Sequence, residues 1–112
     1  MISLKKILNE ILNNYSVEVD LFTDKSASTY DITNEIRALP GITIVTIITP
    51  EDYNQTGGDE YLRLRIKFVT RGEASEMLQT FLDSALAKDD NNSIRIEGIK
   101  SMKFRDNTLK RL

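Results

Sequence analysis

From Val17 to Phe104 the apolar residues switch between a period of two and a period near 3.6, and the switches spell strand, helix, strand, strand, helix, strand. That order leaves little freedom. With right-handed crossovers it folds most simply as a ferredoxin-like α+β sandwich, βαββαβ, with antiparallel sheet order 4-1-3-2 and both helices on one face. The opposite face stays open and receives the side chains of the other parity.

The first strand alternates Val17, Val19 and Leu21 with Glu18, Asp20 and Phe22. A short helix follows the polar run from Thr23 to Thr29. Ser28 and Asp31 are spaced as its capping box, Ile32, Ile36 and Leu39 form its buried edge, and Pro40–Gly41 stops it. Residues 42–49, ITIVTIIT, are almost all β-branched and read as the second strand. Pro50 to Asp59 reads as a long polar loop. The third strand sets Leu62, Leu64, Ile66 and Phe68 against Tyr61, Arg63, Arg65, Lys67 and Val69. Thr70 and Glu73 are spaced to cap a second helix, whose stripe is Ala74, Met77, Leu78, Phe81, Leu82, Ala85 and Leu86. The last strand begins with Ile94 and Ile96, with a bulge at Gly98.

Ahead of this core, Leu4, Ile7, Leu8, Ile11, Leu12 and Tyr15 line one stripe of an amphipathic helix. The chain thus divides into an N-terminal helix over 1–15, a ferredoxin-like domain over 16–104 and a basic C-terminal tail over 105–112.

A length of 112 residues, 40% apolar and 29% charged, suits one soluble domain with a modest core. There is no histidine and no cysteine, so the commonest proton shuttle, the thiol nucleophile and the soft metal ligands are absent, as is any disulfide arguing for secretion. MISLKKILNEIL interrupts its apolar residues with Lys5, Lys6, Asn9 and Glu10, which excludes a signal-peptide core, and no run is long enough to span a membrane. The expected location is the cytoplasm, of a cell or of an infected cell. A formal net charge of −2 selects no partner, but cations crowd the third strand and the C-terminal end.

Placing the more apolar parity of each strand against the helices assigns Glu18, Asp20 and Phe22, then Thr43, Val45, Ile47 and Thr49, then Tyr61 to Val69, and finally Arg95 and Glu97 to the open face. The first and third strands are neighbours, so Glu18 and Asp20 pair with the Arg63–Arg65–Lys67 ladder. Phe22 and Tyr61 meet at one end. Val45 and Ile47 leave apolar groups uncovered at an edge strand, which the N-terminal helix or a second subunit would cover.

No enzyme motif emerges. Asp24, Ser26, Ser28 and Glu35 fit positions of a calcium loop, but Thr29 stands where glycine is required and a strand precedes it instead of a helix. Thr56–Gly57–Gly58 lacks the lysine of a phosphate loop. The [KR]-G-[FY]-[GA]-F pattern of the RNA-recognition motif is missing. ALPGITIV looks like the helix-to-strand passage of a regulatory ACT domain, yet DKSASTYD has no glycine for that family's amino-acid loop. Neither a metal nor a cofactor is expected.

MISLKKILNEIL, DITNEIRALPGITIV, YLRLRIKF and the ending NTLKRL together resemble small ferredoxin-like proteins of tailed bacteriophages, the T4-like marine ones in particular. The resemblance spans most of the chain and implies a domain serving in a virion or in host takeover. It supplies no functional residues.

The expected function is a non-enzymatic protein–protein interaction or assembly module, a homo-oligomer or part of a larger assembly, with Ile7, Ile11, Phe22, Val45, Ile47 and Tyr61 in contact. The alternative is a nucleic-acid-binding module using Arg63, Arg65, Lys67, Lys100, Lys103 and Arg105, with Lys110 and Arg111 adding charge. A dimeric domain sensing a small ligand in its groove is the third class.

Overall fold

β1 (Asn13–Asp24) lies between β3 (Asp59–Thr70) and β4 (Ile99–Arg111), while β2 (Ile42–Ile47) pairs on the far side of β3. This is a computed structural model, and it describes residues 12–24, 27–49, 59–88, 90 and 95–112. The strands form one antiparallel sheet of order β2-β3-β1-β4, which is the expected 4-1-3-2 read from the opposite edge. The architecture is α+β and compatible with a ferredoxin-like sandwich.

Both helices cover the same face. Ile32 and Ile36 of α1 (Thr29–Arg37) and Leu78 and Phe81 of α2 (Ala74–Ala85) join one cluster with Val17, Val19, Leu21, Leu64, Ile66, Phe68 and Phe104. Each fully buried Leu, Ile or Phe contributes roughly 1.5–3 kcal/mol by leaving water, so this layer carries the fold. Phe81 meets Phe68 edge-on at 5.4 Å between centroids, the geometry that aromatic quadrupoles favour.

The expected stop after α1 is physical. Gly41 sits at φ 95°, and a Cβ there would lie 2.7 Å from Met77 Cε and 3.1 Å from the Val69 carbonyl oxygen. The helix caps divide. Ser28 accepts a hydrogen bond from the Asp31 N–H at 3.2 Å, as its spacing predicts. At α2, Glu73 is the N-cap residue and its side chain makes no cap bond, while Thr70 ends β3 and accepts from the Gly72 N–H instead.

Three expectations are corrected. Tyr15 belongs to β1, not to a helix, and stacks on Phe68 at 5.5 Å. Residues 105–111 are not a tail: β4 starts at Ile99 and runs to Arg111, so Arg95 and Glu97 precede the strand. β2 carries a bulge at Thr43, because Ile42 pairs with Phe68 while Ile44 already pairs with Lys67. The extra residue reverses the parity of everything after it. Val45 therefore falls beside Ile66 on the helix side and is only 9% exposed, which removes it from the contact surface. The N-terminal helix, with Ile7 and Ile11, lies outside the described residues.

Candidate functional site

The register arranges the open face in rungs. One rung is Lys67, Ser16 and Lys110; the next is Arg65, Glu18 and Arg105; the next is Arg63, Asp20 and Lys103; the next is Tyr61, Phe22 and Ser101, and beyond it the same parity continues to Asp24 opposite Asp59. Glu18 stands opposite Arg65 and Asp20 opposite Arg63 as expected, but among the described residues only Asp20 forms ion pairs with the arginines. β4 adds a second cationic row on the other side of β1, so in the first three rungs six cations face two carboxylates.

Asp20 organises the centre. Its Oδ1 accepts from the Tyr61 hydroxyl at 2.5 Å and from Arg63 Nε at 3.0 Å, and its Oδ2 accepts from Arg105 Nη1 at 3.2 Å. Burial pushes its carboxyl up, but the three hydrogen bonds and the Arg63 charge outweigh burial and hold it below its ordinary value. Burial and the Asp20 carboxylate push the Tyr61 phenol up. The hydrogen bond to Asp20 raises Arg63 further. The Asp20, Tyr61 and Arg63 shifts all lead away from pH 7, so these three groups keep their protonation states and are poorly suited to passing a proton.

Tyr61 and Phe22 meet with centroids 5.5 Å apart and planes tilted by 60°. The Arg63 guanidinium lies 5.6 Å from the Tyr61 ring centroid, within cation–π range. Phe22 remains 37% exposed. Lys100 pairs with Asp24 at 3.4 Å near this end, away from the rungs.

β4 holds its place by an irregularity invisible in the sequence pattern. Ser16 pairs with Lys110 but Glu18 with Arg105, so residues 106–109 bulge opposite Val17 alone. Thr108 bridges the gap: its Oγ1 accepts from the Glu18 N–H at 2.8 Å and donates to the Arg105 carbonyl at 2.6 Å.

The second surface is the β2 edge. No charge occurs between Ile42 and Thr49. Ile44, on the open face beside Lys67, is 47% exposed, and Ile47, beside Leu64 on the helix side, is 52% exposed. Ile44 was missed because the bulge disguises its parity. Ile47 was assigned to the open face, but the bulge places it on the helix side, beyond full cover.

Asp24, Ser28 and Glu35 of the calcium template line one cleft with Asp31, Arg95 and Glu97. Ser28 is committed there to capping α1, and the described residues contain no group of three acids able to hold a metal. No helix among the described residues is long and apolar enough to cross a membrane.

The chain matches no family model, no curated protein and no solved structure. Fold and site together define a small α+β domain with an open, charged sheet face and one uncharged sheet edge.

Proposed function

We propose that this chain is a ferredoxin-like interaction module that acts without catalysis and self-associates through its β2 edge. The observation that carries this reading is the contrast between the two sheet edges. Among the described residues no strand pairs with the outer side of β2, which offers β-branched side chains and two half-exposed isoleucines with no charge to discourage another strand. β4 presents Lys100, Lys103, Arg105, Asp106 and Lys110 along its length and is bent by its bulge. Soluble proteins guard their edges by such means; β2 has a bulge at its start, at Thr43, but no charge along residues 44–47.

A second copy is the occupant that suits this edge, because an uncharged β-branched strand is complementary to itself across a twofold axis. Pairing β2 with β2 would give one continuous sheet across both subunits. The resemblance to phage proteins favours a virion or an infected cytoplasm as the setting.

Light scattering on the purified protein at micromolar concentration should give the mass of more than one subunit. Ile44→Asp and Ile47→Lys, both at exposed positions, should return the mass of a single chain without loss of secondary structure. A wild type that stays monomeric under these conditions would sink the reading.

A further inference from the structure

The chain carries a formal net charge of −2, yet the three rungs from Lys67 to Arg63 set six cations against two carboxylates, with the acidic positions Asp24 and Asp59 coming only past Phe22. The remainder of the molecule is correspondingly acidic, so the field is directional and aims anions at this face. Asp20 is already occupied by Arg63 and Arg105. Glu18 lies between Arg65 and Arg105 and partly offsets them. No carboxylate stands on the rung that joins Lys67 to Lys110 through Ser16. Arg65, Lys67, Lys103 and Lys110 are all exposed.

Geometry narrows the ligand. Cations at alternate positions of one strand repeat every ~7 Å, and the two cationic rows stand ~10 Å apart across β1. An extended polyanion can follow either row. The rows lead toward Phe22, whose half-exposed ring lies on the same face. Its neighbour Tyr61 is held by a hydroxyl bond to Asp20 and by the Arg63 guanidinium. A fixed aromatic neighbour keeps the Phe22 ring in one orientation, which lowers the entropy lost when something stacks on it. An aromatic group at the end of a cationic track suits unpaired bases, whose faces are free to stack, and not a duplex, whose faces are covered.

We propose that the open face binds single-stranded nucleic acid, with phosphates along the β3 and β4 cations and a base stacked on Phe22. This is independent of self-association, which uses the β2 edge.

Fluorescence anisotropy tests it with three labelled probes: oligothymidylate, an abasic strand with the same number of phosphates, and a duplex. Oligothymidylate should bind tightest, with an affinity that falls steeply as salt rises. Phe22→Ala should weaken oligothymidylate by roughly five-fold or more and leave the abasic strand unchanged, as loss of one stacking contact requires. Arg65→Glu with Lys67→Glu should weaken both strands and flatten the salt dependence. All three positions lie on the exposed face, so thermal unfolding should confirm that the variants fold. No binding at low ionic strength, equal affinity for the abasic strand, or preference for duplex overturns the proposal.

Discussion

Asp20 shows how a half-buried carboxylate can be made part of a structure. Its carboxyl is held below the ordinary value of 3.8. The stabilisation is therefore complete above the unfolded value and is lost as pH falls through the lower folded value. Asp20→Asn should cost about 1–2 kcal/mol at neutral pH, since hydrogen bonds to charged groups are the stronger kind but this one is partly screened by solvent. Urea midpoints at neutral and acidic pH should show the variant with a flatter acid limb, and an unchanged limb would assign the acid sensitivity elsewhere. The partnership of Asp20 with Arg63 was legible, because antiparallel neighbours with opposite charges at matching parity leave few options. The parity of Val45 was not. A one-residue bulge adds no signature of its own when every flanking residue is β-branched, and Thr43 conceals it further by donating its hydroxyl to the Lys67 carbonyl at 3.1 Å, which compensates for the disrupted ladder.

At the scale of elements, β1, β3 and both helices were readable because each buries one face and exposes the other. β4 was readable only as far as Phe104. Beyond it, RDNTLKRL contains the bulge, and a strand interrupted in this way loses its alternation and reads as a polar tail. The start of β1 was misread for a different reason: Tyr15 falls four residues after Ile11 and so extends the helical period by coincidence. A chain truncated after Phe104 distinguishes tail from strand. It would lose the Arg105–Asp20 pair, the Thr108 bridge and the outer rungs of the sheet, so denaturant unfolding should show a loss of about 2 kcal/mol or more. Removal of a true tail would leave the midpoint unchanged.

On the scale of the whole molecule, the two proposed surfaces are separate. The cationic rows are on β3 and β4, with the aromatic pair at one end, whereas the self-association edge is on β2. A dimer built through β2 would place two open faces on one sheet, and linked sites of this kind bind a long strand more tightly than either alone. Association also couples to stability by mass action. The melting temperature of the wild type should rise with protein concentration, and that of Ile47→Lys should not; parallel behaviour of the two would argue against pairing at β2.

The irregularity in β4 bears on how large such an assembly grows. Two bare margins on each subunit would let copies add without limit, as fibrils do. Here Lys100 and Lys103 guard one margin and the kink at residues 106–109 spoils its straightness. Growth begun on the β2 side, as proposed, would find no second place to continue, and the count would halt at a pair.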